Sequence, residues 1–112
     1  MPSRYEPCGL PQMYALRYGT VPVVHATGGL KDSVMQLDER QLAFGTGFLF
    51  RGVDSSAALQ GAVWRALTVY RSARAAWRAL MVRCMRQDNS WEQSARRWAS
   101  ILSSTLRCPS YI

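Results

Sequence analysis

Two short apolar runs, Val21-Pro22-Val23-Val24-His25 and Gly47-Phe48-Leu49-Phe50, constrain the fold of this chain more than any other feature. Both are rich in β-branched or aromatic residues and lie between glycine-containing turns, so each reads as a buried strand, with Pro22 tolerated near the start of the first. Leu10 to Arg17 reads as a helix. Pro11 falls in its first turn, where a missing N–H is not needed, and Gly19 stands where the helix ends. Ala26-Thr27-Gly28-Gly29 reads as a turn, and Leu30 to Val34 as a short helical or irregular piece. Helix, strand, turn and strand at this density imply an α/β layered sheet. Two short strands are too few for a parallel sheet with both faces covered, so uncovered edges and a tendency to associate are expected.

Residues 55 to 107 have a different texture and read as three successive helices, which divides the chain into a loop, helix and strand part (1–54) and a helical part (55–107). Asp54 or Ser55 can cap the first helix, whose apolar positions Leu59, Val63, Ala66, Leu67 and Tyr70 recur at three and four. Arg74 to Met85 form the second, with Trp77, Leu80, Met81 and Cys84 on one stripe. The third starts at Ser90, followed three residues later by Gln93, which is a capping-box spacing. Trp91, Ala95, Trp98, Ile101, Leu102 and Leu106 give it an apolar face. Core packing is the expected role of these tryptophans.

Composition narrows the function classes. The chain has 112 residues, 48% of them hydrophobic, enough for one small domain with an ordinary core. Lys+Arg number 14 against 7 Asp+Glu, and Lys31 is the only lysine. Arg65, Arg71, Arg74, Arg78, Arg83, Arg86, Arg96, Arg97 and Arg107 are spread at spacings that place them mostly on solvent faces of helices, not in a run with interleaved aromatics. A basic nucleic-acid-binding module is therefore the minor reading. Cys8, Cys84 and Cys108 form no CxxC pair and His25 is the single histidine, too few ligands for a zinc site, so no metal is expected. Reduced thiols are expected. No stretch approaches the ~18 apolar residues that span a bilayer, so no membrane contact is expected.

The stretch "PSRYEPCGLPQMY" carries the candidate chemistry. A loop feeding a helix start turns free backbone N–H groups and the positive end of the helix dipole towards one spot, which favours an anion. Gly9 permits close backbone approach to a ligand. Glu6 lies just outside that spot, an acceptor suited to sugar hydroxyls beside a phosphate.

"PSRYEPCGLPQMYALRYGTVPVVHATGGLKDSV" resembles the C-terminal-domain signature of the glycogen and starch synthases, and "GTGFLF" and "WRALMVRCMRQDNSWEQSARRW" resemble two further motifs of that family in order and spacing. "VPVVHATGGLKDSV" is closer to plant and algal soluble starch synthases than to the usual bacterial form. The resemblance covers essentially the whole chain. It implies the GT-B fold of two Rossmann-like domains, of which this chain would be an incomplete C-terminal part. It also implies transfer of glucose from ADP-glucose to the non-reducing end of an α-1,4-glucan, with retention and without a cofactor.

Carried over to this chain, the resemblance makes Glu6 the catalytic contact to hydroxyls of the donor glucose. Cys8, Gly9 and Leu10 become the loop around the sugar and distal phosphate. Gln12 and Tyr14 match positions at the diphosphate and nucleotide end, and Thr27, Gly28 and Gly29 a turn lining the same cleft. Related glycosyltransferases often carry a second glutamate where Tyr14 stands; these synthases do not. Pro11 departs from the hydroxyl or polar residue common at its position and offers no N–H. His25 reads as structural. The expected partners are ADP-glucose, an α-1,4-glucan and the other domain of the enzyme. The expected setting is a plastid for a plant or algal chain and the cytoplasm otherwise. An inactive synthase remnant is the remaining alternative.

Overall fold

The computed structural model describes residues 1–52 and 54–106. Its elements follow in the order α1 (Pro11–Arg17), β1 (Val23–His25), α2 (Gly28–Ser33), β2 (Phe48–Phe50), α3 (Ser56–Ser72), α4 (Arg74–Arg86) and α5 (Trp91–Leu106). The α/β reading with short parallel strands followed by three helices is the fold observed. The strands pair in parallel, Val23 opposite Phe48, Val24 opposite Leu49 and His25 opposite Phe50.

Alternation along these strands sorts the core into two clusters. Phe48 points to the larger one, where it meets Leu16 of α1, Leu37, Ala66 and Val69 of α3, and Leu80 and Cys84 of α4. Val24 points to the opposite face and packs with Leu30 and Val34, joined by Met1 and Leu49. Both faces of this small sheet are thus covered, contrary to expectation, because α2 and the first residues close the side that α1, α3 and α4 leave open.

The strand edges are also occupied. On the outer side of β2, the Leu49 N–H donates to Gln36 Oε1 at 2.8 Å and its carbonyl accepts from Arg65 Nη2 at 2.8 Å. Beside β1, the Met1 amino group donates to the Val23 carbonyl at 2.7 Å, and the His25 N–H donates to the Met1 carbonyl at 3.0 Å. The His25 ring donates from Nδ1 to the Ser3 carbonyl at 2.8 Å, the structural role its strand context implied. Side chains and a terminal segment therefore satisfy groups that would otherwise template association.

Helix boundaries follow local chemistry. Pro11 occupies the first position of α1. Ser55 caps α3, accepting from the Ala58 N–H at 3.3 Å, while Asp54 instead pairs with Arg4 at 2.7 Å. On α3 the buried residues are Ala62, Ala66 and Val69, so the expected stripe is rotated: Val63, Leu67 and Tyr70 remain partly exposed. Small residues at the contact let the helix lie close over the sheet. Ser90 accepts from the Gln93 N–H at 3.3 Å, but its own N–H donates to Asp88 Oδ1 at 2.9 Å, so Asp88 takes the part expected of the Gln93 side chain.

The core role expected of Trp77, Trp91 and Trp98 holds for one of the three. Trp77 packs against the main cluster, stacked on Phe48 with ring centroids 6.4 Å apart. Trp64, Trp91 and Trp98 are 67%, 88% and 64% exposed. Helix α5 has no buried residue, although its face is as apolar as expected. Its projection shows in the radius of gyration, 16.9 Å, against roughly 13 Å for a compact chain of this length. Periodicity marks an apolar face, and nothing among the described residues buries it.

Core and projecting helix should therefore respond differently to truncation. Leu80→Ala, in a side chain 1% exposed, should lower unfolding free energy by about 2–5 kcal/mol in urea titrations. Leu102→Ala, at 56% exposure on α5, should change it by less than about 0.5 kcal/mol.

Candidate functional site

The residues expected to carry chemistry meet where the loop ahead of α1 lies across the start of α2. The Gly29 N–H donates to the Glu6 carbonyl at 2.8 Å. A Cβ on Gly28 would lie 2.0 Å from that same carbonyl oxygen, and a Cβ on Gly29 would lie 2.0 Å from the carbonyl oxygen of Cys8. Both distances are far inside contact, so two consecutive glycines are a steric requirement here. Gly28 additionally has φ +42°, a region that favours glycine. These residues open α2 with Thr27 as the N-cap, whereas the sequence read as a turn as far as Gly29. Two glycines argue against a helix by propensity, and the crossing backbone overrides that preference.

Gln12 locks the loop from behind. Its side chain is fully buried, and Nε2 donates to Ser33 Oγ at 3.0 Å, with a longer contact to the Cys8 carbonyl at 3.4 Å. Ser33 Oγ in turn donates to the Gly29 carbonyl, and Gln87 Nε2 donates to the Ser33 carbonyl at 3.0 Å. Gly9, at φ +70°, lies so close to the Gln12 amide that an added Cβ would sit 2.6 Å from Oε1. The chain thus ties loop 8–9, helix α2 and the end of α4 through two amides, Gln12 and Gln87, that meet at Ser33. Ser33 and Gln87 were not singled out from sequence. The signal for Ser33, four residues after Gly29, emerges only once α2 is known to begin at Gly28.

The remaining candidates face outward. Glu6 is half-buried, and its carboxylate makes no hydrogen bond or ion pair among the described residues. Cys8 is an exposed free thiol. No side chain caps the start of α1, which has Leu10 at its N-cap. Leu10 and the exposed Tyr14 join Met13, Arg17 and residues 85–90 in lining a cleft of about 730 Å³ between α1 and the α4–α5 linker. In that linker, hydrogen bonds from the Ser90 hydroxyl and backbone N–H hold the Asp88 carboxyl below the usual range. Glu6, Cys8, Gly9, Gln12, Thr27, Gly28 and Gly29 therefore gather at the loop–helix crossing, Tyr14 belongs to the adjoining cleft, and Leu10 is the junction.

Two arginines expected on solvent faces instead hold backbone. Arg83 donates from Nε to the Gly45 carbonyl at 3.2 Å and from Nη2 to the Leu42 carbonyl at 3.1 Å. Arg65 joins Glu39, at 2.6 Å, to the edge of β2. No group of three His, Cys, Asp or Glu side chains able to hold a metal occurs among the described residues.

Sequence comparison decides what this arrangement belongs to. The glycogen synthase of Thermosipho melanesiensis is 48% identical over 106 residues, which span 95% of this chain and 22% of the relative. That of Anaeromyxobacter sp. strain K is 56% identical over 101 residues, 90% of this chain and 20% of the relative. The chain matches a segment of the glycogen and starch synthases. It spans about a fifth of the length of the curated relatives it matches. A solved structure, the catalytic domain of starch synthase IV from Arabidopsis thaliana bound to ADP and acarbose, superposes with a TM-score of 0.78 at 35% identity, over 96% of this chain and 22% of that one. The fold is accordingly part of a GT-B glycosyltransferase catalytic domain. No profile of a known protein family matches the chain. The two relatives named are bacterial, at 48% and 56% identity, and the Arabidopsis structure is a plant one, at 35%.

The crossing yields a paired prediction. Gly29→Ala forces a Cβ against the Cys8 carbonyl and should destabilise the fold by about 1–3 kcal/mol, as overpacking does. Gly61→Ala, inside α3 with nothing within 4 Å, should stabilise it by about 0.5–1 kcal/mol. Thermal melts of both variants check the contrast.

The thiols supply a second. Burial pushes the Cys84 thiol up to about 11, and its Sγ donates to the Thr46 carbonyl at 3.2 Å. At pH 8, iodoacetamide should modify Cys8 rapidly and Cys84 only on unfolding, as site-resolved mass spectrometry would read. The folded value is raised, so the neutral thiol's stabilising effect is complete below the unfolded value near 9 and is lost as pH rises through 11.

Proposed function

We propose that this segment supplies the donor-binding part of a synthase that transfers glucose from ADP-glucose to the non-reducing end of an α-1,4-glucan with retention. The observation that carries the reading is the crossing itself, where loop 6–10 is held on Gly28 and Gly29 at a separation that excludes any side chain. A loop pinned this way presents Glu6 and the start of α1 in a fixed relation. The Glu6 carboxylate then takes the hydroxyls of the donor glucose, and Cys8, Gly9 and Leu10 surround the sugar and distal phosphate. Thr27, Gly28 and Gly29 back the loop. Tyr14 lies towards the nucleotide. Gln12 acts from beneath as a positioning residue, since its amide is turned into the protein.

Pre-organisation of this kind lowers the barrier because the dipoles need no rearrangement as the sugar gains oxocarbenium character and ADP departs. A helix start contributes only about 0.3–1 kcal/mol to an exposed anion, against ~8 kcal/mol or more of barrier lowering by an enzyme. The reading therefore assigns the segment a share of the site, with the glucan and the rest of the enzyme as partners. No cofactor is required. The bacterial relatives favour a cytoplasmic setting, and a plastid one follows for a plant or algal source.

The test is kinetic. In a complete synthase carrying this segment, Glu6→Ala should reduce kcat more than it raises KM for ADP-glucose, because charge-assisted bonds worth roughly 1.5–3 kcal/mol tighten as the ring flattens. An unchanged kcat on folded enzyme removes Glu6 from the site. The 112-residue chain alone should incorporate no labelled glucose into glycogen primer above a protein-free blank.

A further inference from the structure

We propose that the outward face of α3 around Trp64 is a second, non-catalytic site that binds an α-glucan chain. The indole is 67% exposed and stands between two depressions of about 230 and 200 Å³, and Trp64, Thr68 and Ser72 line both of them. Positions 64, 68 and 72 follow one line along the helix for about 12 Å, a track suited to a short run of pyranose rings. Glu39 and Arg65 border the first depression and Arg71 the second.

The chemistry matches a sugar better than a protein surface. A pyranose has a face of C–H groups and a rim of hydroxyls, so it needs a flat apolar surface ringed by fixed donors and acceptors. Trp64 supplies the surface. Thr68 Oγ1 donates to the Trp64 carbonyl at 2.9 Å and Ser72 Oγ donates to the Thr68 carbonyl at 2.7 Å, which holds both hydroxyls in place with lone pairs left to accept. Glu39 and Arg65 are paired at 2.6 Å, and Arg65 is further held by the Leu49 carbonyl, so this part of the rim is also fixed before a ligand arrives. The choice of an α-glucan over other polysaccharides rests on the proposed function; the site itself does not involve the donor loop.

Native gels cast with soluble glycogen test the site on the 112-residue chain. Retardation relative to a polysaccharide-free gel is expected, Trp64→Ala should weaken it roughly tenfold or more, and Trp64→Phe should retain part of it. Trp98→Ala, whose indole is exposed to 64%, should migrate as the parent chain does. Circular dichroism melts confirm that each variant is folded. Absence of retardation, equal retardation of Trp64→Ala and the parent, or equal retardation in hydroxyethylcellulose gels overturns the proposal. Glycogen retardation kept by a Glu6→Ala variant that also binds ADP-glucose unchanged would instead count against the donor reading alone.

Discussion

The approach of the Glu6–Cys8 backbone to Gly28 and Gly29 is the contact on which the rest of the site geometry depends. It brings a loop from before α1 onto a helix that follows β1, with no side chain intervening. A hydrogen bond at 2.8 Å and two carbonyls lying where Cβ atoms would be leave little freedom in how the segments meet. Gln12 makes the arrangement cooperative. It bonds Ser33 on the same helix that carries the glycines, and Gln87 closes the chain of contacts from the end of α4. The helices that fill the core thus also set the position of loop 6–10.

The sheet is small, and its completeness comes from polar side chains at one edge and the backbone of the first residues at the other. Gln36 and Arg65 take the N–H and carbonyl of Leu49, while Met1 and Ser3 occupy the far side of β1. Gln36 and Arg65 would count as routine surface residues by type. Their positions turn two three-residue strands into a structure with covered faces and satisfied edges.

How far the sequence could be read follows from this division. The strands, Pro11 at the start of α1, Ser55 and Ser90 as caps, and the Leu80–Cys84 stripe are local patterns, and all appear where the sequence puts them. The candidate loop and turn were legible too, as a glutamate and paired glycines in fixed order. What escaped were interactions made across distance. Gln12 looks like a polar residue at a helix start, and nothing local states that its amide turns inward to Ser33. Arg65 and Arg83 have the spacing of solvent-facing cations, yet both end on backbone carbonyls. Trp91 and Trp98 have the periodicity of a core stripe, and periodicity does not say which surface receives it.

Helix α5 has a consequence for how this gene can change over time. Among the described residues every buried one lies outside it, so purifying selection for this core does not act on its apolar stripe. Trp98, Ile101 and Leu102 can persist through many generations only while some contact beyond this core rewards them. Drift to polar residues there, with Leu16, Phe48 and Leu80 unchanged, would be the mark of a lineage in which that contact has lapsed while the fold survived.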